Sequence, residues 1–181
     1  MSIKHAILGL LAQRPAHGYD LKVLFQGEVA PQVSLNYGQV HQTLERLRAD
    51  GLVTPEVDSQ DVRRKVYYSL TDAGRRELDE WLATPTEHDL DLRNEDLRNE
   101  TYLKLMLARR LPGADPLQVL AVERRACFKK LHKVTVDRDR AEQQAAGPAT
   151  LLPLELAALR LEAFLKWLDR CEEILTREAK P

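Results

Sequence analysis

The chain has 181 residues, with 27 Lys and Arg against 28 Asp and Glu, a formal net charge of −1 and an apolar share of 44%. This is the composition of a soluble globular protein of one ordinary domain or two small ones. It excludes a globally basic nucleic-acid binder and leaves any such role to a local patch.

No run of about 18 apolar residues occurs, so no membrane span is expected. The opening Met1-Ser2-Ile3-Lys4-His5-Ala6-Ile7-Leu8 lacks a signal-peptide pattern. The two cysteines, Cys127 and Cys171, are far apart in helical patterns, which reads as inert thiols in a reducing cytoplasm. The histidines show no ligand spacing with Cys or carboxylates, so no metal and no cofactor is expected.

In chain order, residues 3–12 carry Ile3, Ile7, Leu8, Leu10 and Leu11, a short helix apolar enough to be buried on more than one side. Pro15 and Gly18 end it, and Leu21, Leu24 and Phe25 mark a second helix over 18–26. The third helix, 36–50, has two faces. Val40, Leu44 and Leu47 share an apolar stripe, while Gln39, Gln42 and Arg46 share a polar one on the far side, because a helix advances about 100° per residue. Ser34 or Asn36 is available as its N-cap, and Gly51 fits the position just past its end. Leu52–Val57 then reads as a strand, with Pro55 pointing to a sheet edge, and Lys65–Leu70 as its hairpin partner. Thr71 caps a fourth helix with Leu78, Trp81 and Leu82 on its apolar side. Three short helices followed by a hairpin and a helix make a winged helix-turn-helix.

After Pro85 only helical period remains: 94–110, a long amphipathic helix over 116–145, a break at Gly147-Pro148, and 152–177. In the last segment Leu154, Leu161 and Leu168 recur every seven residues, with Leu165 and Leu175 beside them, a pattern suited to a helix–helix seam. The fold expected is mainly α: residues 1–84 as a winged helix-turn-helix DNA-binding domain with a two-stranded wing, and residues 85–181 as an α-helical dimerisation and effector domain. The first helix is too apolar for so small a winged domain to cover. Ile3, Ile7 and Leu8 are therefore expected to pack on the C-terminal helices, those of a partner chain included.

Three stretches resemble the PadR family of bacterial transcriptional regulators: His17-Gly18-Tyr19-Asp20-Leu21, Asn36-Tyr37-Gly38-Gln39-Val40-His41-Gln42-Thr43-Leu44-Glu45-Arg46-Leu47, and Asp50-Gly51-Leu52-Val53. The segment from Arg64-Lys65-Val66-Tyr67-Tyr68 to Thr71-Asp72-Ala73-Gly74-Arg75 extends the match. The C-terminal half resembles the family less tightly, through Glu100–Leu105. The resemblance implies a homodimeric repressor with a C-terminal helical dimerisation domain, bound to a pseudo-palindromic double-stranded operator and released by a small-molecule effector or another signal. The sequence departs from the family at His41, where relatives carry a Tyr.

Gln39, Gln42 and Arg46 are the candidate readers of base edges, since Gln matches adenine and Arg matches guanine in pairs of hydrogen bonds. The plain alternative is a solvated helix face. Asn36 and Tyr37 are placed for phosphate, or else for a cap and a packed ring, and His41 is placed to donate to phosphate or base. Arg63, Arg64 and Lys65 form the longest consecutive basic run before residue 84, and a wing would carry them against phosphate or into the minor groove. Glu45 is expected to pair locally with Arg48 or His41. Gly18-Tyr19 reads as structural, with the tyrosine packed, and Gly74 as a site of close packing on the wing. Trp81 and Trp167 are core anchors or the lining of an effector pocket. No nucleophile–base pair or phosphate loop suggests an enzyme. The second reading is a winged-helix adaptor that binds proteins without sequence-specific DNA binding.

Overall fold

A computed structural model of the chain describes residues 2–29, 35–57, 65–86 and 96–178. They form helices α1 (Ile3–Leu11), α2 (Gly18–Leu24), α3 (Tyr37–Ala49), α4 (Asp72–Ala83), α5 (Asp96–Ala108), α6 (Pro116–Gln143) and α7 (Pro148–Glu178). Three strands, β1 (Ala16–His17), β2 (Val53–Val57) and β3 (Val66–Leu70), lie in one antiparallel sheet of order β1-β3-β2. The chain divides into two compact units, Met1–Thr84 with Asn99–Asp115, and Pro85–Arg98 with Pro116–Pro181.

In the first unit α1 is the central element. Ser2 caps it, its hydroxyl accepting from the His5 amide. Every residue from Ala6 to Leu11 is buried, which a helix achieves only when packed on all sides. Its neighbours are α2, α3, α4 and β3, together with the π-helical turn Phe25–Val29 that continues α2. That turn sends both Phe25 and Val29 into the core.

Residues 99–115 complete this core. Leu103, Leu107 and Leu111 belong to the same buried cluster as Ile7 and Leu8. A Cβ on Gly9 would lie 2.7 Å from Leu107 Cδ2, so the glycine is what lets α1 and α5 approach. The unit around the wing thus takes in a segment that the sequence reading assigned beyond residue 84. Ile7 and Leu8 are 1% and 0% exposed within one chain, and the C-terminal helix on which they were expected to pack is α5 of the same chain.

The wing strands pair as read, from Val53 opposite Leu70 to Val57 opposite Val66, with Pro55 on the edge strand opposite Tyr68. The wing is the two-stranded β2–β3 hairpin expected, and the sheet gains a short third strand in β1, whose Ala16 and His17 pair with Tyr68 and Tyr67 on the other side of β3. The wing tip, 58–64, with Arg63 and Arg64, lies outside the described residues.

The second unit is built on α6 and α7, 28 and 31 residues long. They run antiparallel: Arg138 pairs with Glu155 near the turn, and Arg124 with Asp169 and Glu172 farther from it. Glu123, fully buried, accepts from both the amide and the hydroxyl of Thr86. The sharp end of α6 is made by Ala145 at φ 52°, with the Ala146 amide donating to Ala141 and the Ala145 amide to Glu142. This is a Schellman end without its usual glycine. Leu161 and Leu168, expected to meet a partner chain, are buried within this unit, and Cys127 Sγ lies 3.5 Å from the Leu161 carbonyl oxygen. Leu154, Leu165 and Leu175 are half-buried.

Candidate nucleic-acid interface

The frame of α3 fixes its polar face. Asn36 is the N-cap, its Oδ1 accepting from the Gln39 amide at 2.9 Å, while Gln39 Oε1 accepts from the Asn36 amide at 3.1 Å. This reciprocal pair is a capping box, and it satisfies two donors that a helix start would leave orphaned. At the other end Gly51 sits at φ +69°, its amide donating to Arg48 and the Leu52 amide to Leu47. Between these ends Val40, Leu44 and Leu47 are buried. With both ends fixed and one side locked in the core, rotation of α3 about its axis is blocked. Gln39, Gln42 and Arg46 are exposed on the opposite side.

The candidates differ in what holds them. Gln42 and Arg46 are exposed, and their polar groups make no hydrogen bond or ion pair among the described residues. Gln39 has its carbonyl oxygen committed to the capping box, which leaves only its amide NH2 to reach outward. Asn36 acts as the cap. Tyr37 does two things: its ring edge would lie 3.6 Å from a Cβ on Gly18, while nearly half of the residue is exposed. The rings of Tyr37 and His41, one turn apart, are nearly parallel at 6.4 Å and form a flank of the helix. Glu45 pairs with Arg48 at 2.8 Å, as its position suggested. Lys65 is half-buried at the entry to β3.

One neighbouring group behaves otherwise than expected. Tyr19, read as packed, is 56% exposed, and Val23 one turn on is exposed as well. Both stand on α2, the helix that precedes α3 in the helix-turn-helix. The apolar period of α2 marked its buried side correctly through Leu21, and at about 100° per residue Tyr19 falls on the face opposite Leu21. His17 caps α2, its Nδ1 accepting from the Tyr19 amide.

The two tryptophans are each engaged inside their own unit. Trp81 stacks on His5 at 4.6 Å, donates to Glu100 Oε1 at 2.8 Å, and has Lys104 Nζ 5.3 Å from its ring centroid. Lys104 is itself buried and donates to the Thr84 carbonyl. Trp167 lies against Phe164 at 5.4 Å. Both are contacts within a single unit. Burial pushes the Cys127 thiol up to about 11, with Glu123 adding to the shift, so it holds its proton at neutral pH. Among the described residues no His, Cys, Asp and Glu group could hold a metal ion, and no helix is long and apolar enough to cross a membrane.

Comparison with known proteins bears on this domain directly. Residues 7–80, from inside α1 to inside α4, match the Transcriptional regulator PadR-like family. That match covers 74 of the 181 residues and makes this part of the chain similar to the PadR-like family. The negative transcriptional regulator PadR of Bacillus subtilis is 36% identical over 81 residues, 44% of each chain, so the match spans less than half of that relative. A probable transcriptional regulator of Mycobacterium tuberculosis is 24% identical over 185 residues, 97% of this chain and 98% of its own. The crystal structure of Bacillus subtilis PadR in complex with operator DNA is similar over 95% of this chain and 97% of that one, at 24% identity and a TM-score of 0.45. The matched stretch lies within the unit that presents α3.

Proposed function

We propose that this PadR-like chain is a cytoplasmic, sequence-specific DNA-binding transcriptional regulator that acts as a homodimer and represses until a small ligand or another signal releases it. One observation carries the reading: α3 is clamped at both ends and along one side while Gln42 and Arg46 project from the other. A helix held this way presents side chains to a major groove with little ordering cost on binding. Gln42 and Arg46 read base edges, Gln39 contributes its free amide NH2, and the Tyr37–His41 flank meets phosphate. Asn36 serves the interface by capping the helix. The exposed Tyr19 on α2 donates to a phosphate, the contact that the first helix of such a motif is placed to make. Arg63, Arg64 and Lys65 extend the contact through the wing.

Repression follows the role of the Bacillus subtilis relative, a negative transcriptional regulator. A two-fold dimer would set its two reading helices about 34–36 Å apart or a multiple of it, matching a pseudo-palindromic operator. An effector that binds one arrangement of the dimer better by a few kcal/mol releases the DNA.

The test is binding of the full chain to the duplex upstream of its own coding region, compared with Gln42→Ala and with Arg63→Ala/Arg64→Ala. The helix change is expected to alter which base is preferred at one operator position. The wing change is expected to weaken all duplexes alike. Binding to every duplex unaffected by either change would refute the reading.

A further inference from the structure

The helix α3 carries a glycine that its own fold does not require. Gly38 is the second residue of the helix and is exposed. Its φ is not positive, unlike those of Gly51 and Gly113. The glycines within α1, α2 and α4 are each met by the chain: a Cβ would lie 2.7 Å from Leu107 Cδ2 at Gly9, 3.3 Å from Leu44 Cδ1 at Gly18 and 2.2 Å from the Leu52 carbonyl oxygen at Gly74. At Gly38 a Cβ would meet Asn36 Oδ1 at 3.3 Å and, beyond its own helix turn, no other atom of the described residues within 4 Å. That oxygen ends a rotatable side chain, which can give way slightly. Glycine weakens a helix relative to alanine, because it loses more freedom on folding. Neither backbone conformation nor packing therefore explains Gly38.

Its place on the reading helix does. At about 100° per residue Gly38 and Gln42 lie about 40° apart, and each is about 120° or more from Val40, Leu44 and Leu47. The two residues share the line that points away from the core. The capping box folds the side-chain oxygens of Asn36 and Gln39 back onto the helix start. The Tyr37 ring lies to one flank, against His41. The line thus begins at bare backbone. In a helix-turn-helix the N-terminal residues of the second helix are the ones brought to the base edges. The bare point is where a duplex comes nearest to α3.

We infer that Gly38 sets the depth of α3 in the major groove. Its missing side chain lets the first turn lie against the base edges, and that closeness brings Gln42, one turn on, within hydrogen-bonding reach of them. The inference rests on the proposed DNA reading and adds a residue that acts by being small. A duplex held through its phosphates alone does not need this depth. Gly38 therefore serves discrimination between sequences and not general affinity.

The test compares the full chain with Gly38→Ala and Gly38→Leu. Binding is read on the duplex upstream of its own coding region and on a shuffled duplex of equal composition, beside a thermal melt of each protein. Gly38→Ala is expected to melt no lower than the unchanged chain and to bind the upstream duplex about ten-fold or more weakly, the scale of overfilling a tight contact. Its binding to the shuffled duplex is expected to stay the same. Gly38→Leu, which is larger, is expected to bind the two duplexes alike. Upstream binding by Gly38→Ala as tight as by the unchanged chain overturns the inference. So does a lower melting temperature of Gly38→Ala, which would explain the glycine by the Asn36 cap. An equal loss on both duplexes overturns it as well, since that places Gly38 at phosphate. The unchanged chain separates the two claims. If it treats the duplexes alike, the regulator reading fails and the inference with it; if it discriminates and Gly38→Ala does so equally, only the role of Gly38 fails.

Discussion

The hydroxyl of Thr71 donates to the carbonyl of Gly51 at 2.9 Å. The same oxygen accepts from the Gly74 amide at 3.0 Å as the cap of α4, and the Thr71 amide donates to the Leu52 carbonyl. One threonine therefore joins the end of the reading helix, the exit of the wing and the start of α4. Thr71→Val is expected to lower stability by about 1–2 kcal/mol, the usual cost of a lost cap, and Thr71→Ser to recover most of it. Chemical denaturation of the three proteins measures this; equal midpoints for Thr71→Val and the unchanged chain would contradict it.

Gly74 sits where that junction is tightest. A Cβ there would lie 2.2 Å from the Leu52 carbonyl oxygen and 2.7 Å from Leu70 Cδ1. The first neighbour is backbone, so it cannot swing aside. Gly74→Ala is expected to cost about 3 kcal/mol, the upper end for overpacking, despite the gain in helix propensity. A thermal melt reads the loss directly. The close packing of Gly74 on the wing was legible in the sequence, as were the two faces of α3, the role of Gly51 and the edge position of Pro55. Each follows from local period or from a residue type with one strong preference.

Other features carried no such signal. β1 is two residues long and has no period to read. The cover of Ile7 and Leu8 by Leu103 and Leu107 is a contact between segments nearly a hundred residues apart, and apolar content alone did not say whether the cover came from this chain or another. The sequence offered Asn36 as one of two N-caps, without the reciprocal bond from Gln39. Gln39 matched the pattern of a base reader, and only the structure shows which of its atoms is occupied.

Ala145 offers a test in the stabilising direction. It holds φ 52°, a conformation that costs a residue with a Cβ about 1–2 kcal/mol. The sequence placed the helix end at 145, two residues beyond Gln143, and the break at Gly147-Pro148, where α7 starts. Ala145→Gly is expected to stabilise by about 0.5–1 kcal/mol, because the strain removed exceeds the added freedom of the unfolded chain. No change or a loss on denaturation would contradict this.

His5 and Glu77 predict a pH dependence. Burial against Trp81 and α1 pulls the His5 imidazole below its ordinary 6.5, partly offset by its hydrogen bond to Glu77. The unfolded chain then takes up the proton first, so this contribution is complete above about pH 6.5 and is lost as pH falls through the lower folded value. Glu77 is also held below its ordinary value, chiefly by the Lys4 ammonium at 2.6 Å, and its contribution fades only under more acid conditions, below about pH 4.5. Melting temperature is expected to fall from pH 7 to pH 5.5, and His5→Phe, which keeps the ring on Trp81, to flatten that fall. An identical slope in both proteins would refute the assignment.

Tyr19 predicts a change in affinity without a change in preference. If its hydroxyl donates to phosphate, Tyr19→Phe removes one hydrogen bond worth about 1 kcal/mol, so operator binding is expected to weaken about five-fold while the ranking of operator variants stays the same. Fluorescence anisotropy on a small set of duplexes decides it, and a reordered ranking would place Tyr19 at a base instead.

The central claim is that α3 reads DNA with Gln42 and Arg46 from a clamped helix. Its most direct measurement is the salt dependence of binding to the upstream duplex and to a shuffled duplex of equal composition. The account predicts that log Kd rises linearly with log salt for both, at slopes set by the phosphates contacted. It also predicts about 1000-fold or more tighter binding to the upstream duplex, reduced by Gln42→Ala and Arg46→Ala but not by Thr43→Ser. Binding that ignores salt, or that treats the two duplexes alike, would contradict it.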